Sequence, residues 1–160
     1  MEQEESKELL LKGKKRALRL LERKDYSRRE LIERLTKDGY SQEIVEHIME
    51  YLDGFHYLSD VRVAENYIRS RMETTSRRKL EYMLYQKGIS EEDINLAMGK
   101  NCKNEDGIPQ EEIAIRNFLQ KIHITEEMVL ELSYEEKQKI AVKLYRKGFT
   151  SEMIRKSLHM

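Results

Sequence analysis

The sequence predicts an all-α protein, an elongated tandem array of three three-helix repeats that each resemble a helix-turn-helix unit. The first observation is a triplet of glycine, a bulky residue and a hydroxyl residue that occurs three times. The triplets are Gly39-Tyr40-Ser41, Gly88-Ile89-Ser90 and Gly148-Phe149-Thr150. The second observation is that apolar residues lie eight and four positions before each glycine and six and ten positions after it. They are Leu31, Leu35, Val45 and Met49; Leu80, Leu84, Ile94 and Met98; and Ile140, Leu144, Ile154 and Leu158.

The spacing of these residues predicts that each triplet is a turn between two helices. Steps of four place the apolar side chains on one face of each helix. Glycine ends the first helix because it adopts the left-handed cap conformation at little cost, and serine or threonine caps the second. No run of alternating β-branched residues predicts a strand, so nine to ten helices are expected. A unit of about fifty residues buries little apolar surface alone, and we therefore expect function on an extended surface.

The first unit is predicted over residues 1–56. Its helices are predicted from near Ser6 to Lys24, from Ser27 to Asp38, and from Gln42 to about Tyr51. The apolar stripe of the first helix consists of Leu10, Ala17, Leu20 and Leu21. Ser27 and Glu30 form a capping box, in which each side chain accepts a main-chain N–H at the start of the second helix. Asp53 and Gly54 are expected to break the third helix.

The second unit is predicted over residues 57–104. Either Ser59 or Asp60 caps its first helix, whose inward stripe of Ala64, Tyr67 and Ile68 repeats the spacing in the first unit. The second helix is predicted to begin at Ser76-Arg77-Arg78-Lys79-Leu80, which aligns with Ser27-Arg28-Arg29-Glu30-Leu31. The third helix is predicted from Glu91 to about Gly99.

The third unit is predicted over residues 105–160 and is the divergent copy. The polar segment 101–109 contains the single proline of the chain and is the predicted hinge. The stripe of the next helix is one position out of register and consists of Ala114, Phe118 and Leu119. Residues 125–132 are an insertion with their own cap, predicted to form a short added helix. Ser133 and Glu136 form a capping box before the final helix pair.

The charges cancel over the whole chain but are segregated along it. Lys and Arg number 30, as do Asp and Glu. Residues 12–37 carry a net charge of +7 and residues 38–60 carry −6. Residues 61–90 carry +4 and residues 91–115 carry −5. The two basic segments, residues 12–37 and 61–90, create local fields that can steer binding, so a total charge of zero does not exclude a polyanion as partner.

The same sequence excludes several classes of protein. The acidic N-terminus lacks the basic and apolar segments of a signal peptide, and no stretch reaches the roughly 18 apolar residues that span a bilayer. The single cysteine, Cys102, fits a reducing compartment, so a cytoplasmic protein without membrane contact is expected. Four scattered histidines without metal-ligand spacing predict no metal site. No phosphate-binding glycine loop is present, and no base accompanies Cys102, so neither a cofactor nor enzymatic activity is expected.

Two sets of cations are candidates for binding a partner. Arg28, Arg29, Arg77, Arg78 and Lys79 recur in the first turn of a second helix. They are either a solvated helix end or an anion site, and the helix dipole, which disfavours cations at this end, favours an anionic partner held by side chains and free amides together. Arg71 recurs with Lys24 and Lys121 near the end of a first helix, where capping is favoured over binding.

Several tyrosines are interleaved with these basic residues. They are Tyr26, Tyr57, Tyr82, Tyr85 and Tyr145. This arrangement is typical of surfaces that stack nucleic-acid bases. It is equally typical of tyrosines that pack with a wet edge, and the sequence leaves both interpretations open.

Residues 54–71 and the following basic helix resemble the RecX regulatory proteins of bacteria. The matching positions are Gly54, Leu58, Asp60, Ala64 and Arg71, followed by Arg77-Arg78-Lys79-Leu80 and Lys87-Gly88-Ile89. Val63 stands where the family usually has an aromatic residue, and Tyr67 compensates for it in packing. The resemblance covers roughly residues 15–158, because Lys147-Gly148-Phe149 matches the third repeat of the family.

This resemblance implies a fold of tandem three-helix repeats and a function as modulator of the RecA recombinase. Members of the family lie in the groove of the RecA–DNA filament and usually inhibit the ATPase, strand-exchange and coprotease activities of RecA in DNA repair and the SOS response. The expected partners are the RecA filament and, as an auxiliary contact, single- or double-stranded DNA. The protein is expected to be a monomer.

Two alternatives come from other classes of protein. One is a stand-alone helix-turn-helix DNA-binding protein, whose recognition helix should be basic. The predicted helix 42–51 carries Glu43, Glu46 and Glu50 without Lys or Arg, and residues 91–93 are all acidic. Phosphate would repel both helices, which favours the filament regulator. The other alternative is a helical scaffold for some different partner.

Overall fold

The computed structural model describes residues 2–101 and 109–160, and this part of the chain is helical with no β-strand. The ten helices are α1 (Glu2–Arg23), α2 (Arg28–Lys37), α3 (Gln42–Gly54), α4 (Asp60–Arg71), α5 (Arg77–Gln86), α6 (Glu91–Asn101), α7 (Gln110–Lys121), α8 (Glu126–Glu131), α9 (Tyr134–Arg146) and α10 (Ser151–Leu158). The predicted all-α array is confirmed. Cys102 and most of the predicted hinge lie outside the described residues.

Each unit has its own apolar core. The clusters lie between Ala17 and Leu52, between Val63 and Met98, and between Ala114 and Leu158. All twelve apolar residues predicted from the glycine offsets are at most 8% exposed. Within each unit the first helix packs on the third, and the second helix packs across the third. The array therefore consists of three small cores in succession.

Helix starts follow the predicted caps. Ser27 and Ser133 each accept the main-chain N–H of a glutamate three residues on, and that glutamate accepts the N–H of the serine. Ser59, not Asp60, is the N-cap of α4. Thr125 caps α8, which is the predicted added helix, and its Val129 is buried in the third core.

Two boundaries differ from the prediction. Helix α1 begins at Glu2, ahead of Ser6, and the three glutamates of its first turn stabilise this end through the helix dipole. The predicted break at Asp53 and Gly54 is wrong, because α3 continues through Gly54. The continued turn places Leu52 in the core, where it is fully buried.

The inward stripes also differ in detail. Tyr67 and Phe118 are only partly buried and pack at the edge of their cores. Val63 and Ile115, each next to the repeat alanine, point inward in their place and are at most 7% exposed. An α-helix turns by 100° per residue, so a neighbour of an inward alanine can share the buried face.

Candidate binding surface at the joints between units

The first joint connects the start of α2 to the second unit. The Ser27 hydroxyl donates to the main-chain carbonyl oxygen of Lys87 at 2.5 Å, and Ser27 is fully buried. The main-chain N–H of Arg28 donates to Oδ1 of Asp60 at 2.9 Å. Lys87 Nζ lies 3.2 Å from Oε2 of Glu30. The N-terminal end of α2 is therefore held against the C-terminal end of α5 and the first turn of α4.

The second joint repeats this construction one unit later. The Ser76 hydroxyl donates to the carbonyl oxygen of Lys147 at 2.9 Å, and the N–H of Arg77 donates to Oε1 of Glu111 at 3.1 Å. Gln110, which is 4% exposed, also donates to the carbonyl oxygens of Met72 and Thr75. Helices α9, α5 and α2 thus follow one another end to end, each N-terminus against the C-terminus of its neighbour.

Glycines complete both joints. Gly88 and Gly148 have φ angles of 80° and 97°, which a glycine adopts without strain. A Cβ atom on Gly88 would lie 2.2 Å from Cδ of Arg29, and one on Gly148 would lie 2.7 Å from Oγ of Ser76. Gly39 has a similar φ angle, but no atom of the described residues lies within 4 Å of such a Cβ. The glycine at each joint therefore permits both the turn and the close approach.

The joints alter the role predicted for the helix N-termini. The amides of Arg28 and Arg77 were expected to be free to hold a partner's anion, but they bind the carboxylates of Asp60 and Glu111. The anions at these ends therefore belong to the protein itself. Burial raises the pKa of Asp60 and of Glu111, and the bound N–H opposes the rise in each case.

Three of the candidate arginines are paired on the surface. Arg28 binds Asp53 through two hydrogen bonds of 2.6 Å, which raise the pKa of Arg28 and lower that of Asp53. Arg29 lies 3.1 Å from Glu33, and Arg77 lies 3.1 Å from Glu81, each one turn along the same helix. Exposed pairs of this kind contribute little to stability, so these arginines can exchange partners.

Arg78 and Lys79 differ from the other candidates. Both side chains are exposed, and neither has an ion pair or side-chain hydrogen bond with any residue in the described ranges. Tyr82 and Tyr85 follow on α5 and are 60% and 66% exposed. Helical spacing places Arg78 and these two tyrosines on one side of the helix. Lys79 lies three residues before Tyr82 and borders this side of the helix. These four residues form the α5 stripe, which offers two cations and two aromatic rings to a partner.

Arg71 lies in a separate cleft between the first two units. Its guanidinium carbon is 4.1 Å from the centre of the Tyr67 ring, and Lys87 Nζ is 5.5 Å from the same centre. Lys24 also lines this cavity of about 460 Å³. Sequence reasoning missed the contribution of Lys87, because that lysine reaches the cleft only through the packing of α5 against α4.

The remaining family-motif positions are structural. Leu58 is partly buried against the core of the first unit, although it precedes the first helix of the second. Ala64 is fully buried in the second core. Leu58, Asp60 and Gly88 therefore all contribute to the first joint, which explains why they form part of one motif.

No helix in the described part of the chain combines the length and the apolar character needed to span a membrane. Residues 2–101 and 109–160 also contain no group of three or more His, Cys, Asp or Glu side chains placed to hold a metal ion.

Comparison with known proteins identifies the family of these repeats. Family models described as the first, second and third three-helix domains of RecX match residues 14–52, 59–98 and 115–158. The regulatory protein RecX of Clostridium perfringens strain 13 is 31% identical over 136 residues, covering 85% of this chain and 60% of that protein. RecX of Clostridium tetani is 30% identical over 153 residues, covering 93% of this chain and 67% of that protein.

Solved structures support the same fold. The crystal structure of RecX from Lactobacillus salivarius superimposes with a TM-score of 0.76 at 21% identity, covering 94% of each chain. A second crystal structure of a regulatory protein RecX gives a TM-score of 0.75 and covers 96% of this chain. The chain spans about half to two thirds of the length of these curated relatives. With matching domain models, sequence relatives and fold, the chain belongs to the RecX family of regulatory proteins.

Proposed function

We propose that this chain binds the RecA–DNA nucleoprotein filament in the cytoplasm and inhibits the ATPase, strand-exchange and coprotease activities of RecA. The observation that carries the proposal is the repeated joint, which sets three similar units in a row. Ser27 and Ser76 hold the second helices end to end. A row of units can contact successive protomers of a helical polymer, and each contact raises the effective concentration for the next.

The surface charge supports a partner that contains both protein and phosphate. The α5 stripe presents Arg78 and Lys79, which form no ion pair with any residue that the structure describes. Helix α3 carries Glu43, Glu46 and Glu50, and all three are exposed. A filament of protein wound on DNA presents basic and acidic groups side by side, so alternating basic and acidic helices fit it. We propose that the chain acts as a monomer, with DNA as an auxiliary contact.

A stand-alone helix-turn-helix protein remains the second candidate. The capped helix pairs around Gly39, Gly88 and Gly148 have the required connection. The third helices of the first two units oppose it, because their exposed carboxylates would repel phosphate. We therefore assign DNA a secondary role in binding.

Charge reversal on α5 tests the proposed filament contact. Replacing Arg78 and Lys79 by Glu should weaken binding to RecA filaments on single-stranded DNA by at least about tenfold, since both cations are exposed and have no ion-pair partner among the described residues. The matched control replaces the exposed Lys12 and Lys15 of α1 by Glu, which changes the net charge equally. Circular dichroism should be unchanged for both variants. Equal binding by the parent and the α5 variant, measured by co-sedimentation, would refute the assignment of this surface.

A further inference from the structure

The first and third units carry equivalent grooves between their second and third helices. The α2–α3 groove has a volume of about 640 Å³ and the α9–α10 groove about 420 Å³. Their floors correspond, because Val45 and Ile154 each lie six residues after the turn glycine and are at most 4% exposed. The two grooves are therefore built on one backbone plan and can be compared position by position.

The charge of the groove is reversed between the two units. Glu46 and Arg155 occupy the same position, seven residues after the glycine, and each lines its groove. The α2–α3 groove also has Glu50 on its wall, together with Asp53 and its partner Arg28, so its acidic residues still outnumber its basic ones. The described residues that line the α9–α10 groove include Arg146 and Arg155 and no Asp or Glu. Glu152, on the first turn of α10, is the nearest acid in sequence and does not line the groove.

The two grooves also differ in their aromatic content. Three residues before the glycine, the first unit has Thr36 and the third has Tyr145. Tyr145 is 62% exposed and Val142, which also lines the groove, is 46% exposed, so neither side chain is buried in the core. Arg146 and Arg155 are exposed, and neither forms an ion pair with any residue that the structure describes. An exposed ring beside two free guanidinium groups is suited to a base and its flanking phosphates.

We propose that the α9–α10 groove binds a segment of single-stranded nucleic acid, with a base stacked on Tyr145 and phosphates on Arg146 and Arg155. A single strand fits better than a duplex because only an unpaired strand offers an open base face. The basic third helix that a nucleic-acid contact requires is thus present in the third unit and absent from the first. This inference rests on the proposed function and deepens it by assigning the DNA contact to one unit.

Binding of a fluorescent oligothymidylate, followed by anisotropy at several salt concentrations, tests the groove. Replacing Arg146 and Arg155 by Glu should weaken binding at least about tenfold and lower the salt slope by about 1.4, as expected for two single-strand phosphates. The Lys12 and Lys15 to Glu control should have a much smaller effect. Equal losses in the two variants would overturn the proposal.

Tyrosine variants separate nucleic acid from an acidic protein surface as the occupant. Tyr145→Ala should weaken oligonucleotide binding by about fivefold or more, because a stacked base is lost, whereas Tyr145→Phe should bind as the parent does. An unchanged affinity of Tyr145→Ala, or duplex binding as tight as single-strand binding, would refute the stacked single strand. A gain-of-function variant, Thr36→Tyr with Glu46→Arg, should raise oligonucleotide affinity through the first unit.

The groove and the filament surface can fail independently. The Arg78 and Lys79 to Glu variant should lose filament binding and keep its affinity for the bare oligonucleotide. The Arg146 and Arg155 to Glu variant should lose more affinity for the bare oligonucleotide than the Arg78 and Lys79 to Glu variant does. If only the α5 variant lost oligonucleotide binding, the nucleic-acid site would lie on α5 and the groove assignment would be wrong.

Discussion

At the scale of single residues, one serine hydroxyl both starts a helix and connects two units. Ser76 accepts the N–H of Lys79 at 3.2 Å and donates to the carbonyl oxygen of Lys147. A hydroxyl can do both because it carries one donor and two acceptor sites. Ser133 begins α9 in the same way but is exposed and forms no such contact with another unit in the described chain. A comparison of Ser76 with Ser133 therefore distinguishes the contribution of the helix cap from that of the contact between units.

We expect Ser133→Ala to lower the free energy of unfolding by about 1 kcal/mol, the usual effect of losing a helix cap. Ser76→Ala should lose about 1 kcal/mol more, because the part-buried hydrogen bond to the carbonyl oxygen of Lys147 is lost as well. Urea unfolding of the two variants beside the parent measures both values. Equal losses would mean that the joint hydrogen bond contributes nothing to stability.

The two carboxylates that bind Arg28, those of Asp60 and Asp53, predict opposite effects of pH on stability. Burial raises the pKa of Asp60 above its usual range, so its charge destabilises the fold at neutral pH and protonation relieves this as the pH falls. Hydrogen bonds from Arg28 lower the pKa of Asp53, so its stabilising effect at neutral pH is lost as the pH falls through the folded value.

Asp60→Asn should therefore be more stable relative to the parent at pH 7 than at pH 3, since the amide oxygen still accepts the Arg28 N–H. Asp53→Asn should be less stable than the parent at pH 7, and that deficit should shrink at pH 3. Thermal unfolding of the two variants across this range compares the signs. The same sign for both would contradict the assigned causes of the pKa shifts.

Residue pattern predicted the caps but not the joints. Both capping boxes involve residues three positions apart, so sequence spacing reveals them. The joint partners of Ser27 and Ser76 lie 60 and 71 positions away, and no local pattern indicates such a contact. The prediction that the amides of Arg28 and Arg77 are free was wrong for this reason. Each amide binds a carboxylate that belongs to the following unit.

At the scale of helices and turns, the glycines distinguish a turn inside a joint from a turn outside both joints. Gly39 and Gly88 both have positive φ angles, of 101° and 80°. Gly88 alone of the two is covered, by the aliphatic part of Arg29. The two positions thus share a backbone conformation that strains any other residue, and they differ in steric surroundings.

Gly39→Ala should lower stability by roughly 1–2 kcal/mol, because alanine is strained in the left-handed conformation. Gly88→Ala should lower it further, since the new methyl group requires Arg29 and the start of α2 to move. Chemical unfolding and amide hydrogen exchange across α2 compare the variants. Matching losses, with α2 equally protected in both, would show that the close approach at Gly88 is unimportant.

Core substitutions test the independence of the three units. Leu84 is fully buried in the second core, and Leu84→Ala should destabilise that unit by about 2–5 kcal/mol. The same change at Leu35 should act on the first unit. Hydrogen exchange should report the loss mainly within the substituted unit. Uniform loss of protection along the whole chain would indicate one cooperative core.

Helix existence was predictable from the sequence, and helix ends were less so. Periodic apolar residues predicted all the helices, including the added α8. The end of α3 was misplaced because the burial of Leu52 outweighs the turn preference of Asp53 and Gly54. Val63 and Ile115 were missed because either neighbour of the repeat alanine can face inward, and only packing decides which does.

At the scale of the whole molecule, the joints align α9, α5 and α2 and so favour an extended shape. A compact globule of this length has a radius of gyration of about 15 Å. We expect small-angle scattering to give a clearly larger value and the asymmetric distance distribution of a rod. A value near 15 Å would contradict the end-to-end arrangement of the units.

Whole-molecule function follows less directly from sequence than the fold does. The repeat, the charge segregation and the family motif all lie in the sequence, and the matching domain models confirm the family. The availability of Arg78 and Lys79, against the pairing of Arg28 with Asp53, depends on contacts that only the folded chain reveals.

The central claim is that this chain regulates RecA by binding its filament. Titration of the purified protein into the single-stranded-DNA-dependent ATPase reaction of RecA tests it most directly, with the Arg78 and Lys79 to Glu variant in parallel. We expect the parent to reduce ATP hydrolysis in a saturable way and the variant to require a much higher concentration. An ATPase rate that stays constant with the parent at several-fold excess over RecA protomers would contradict the account.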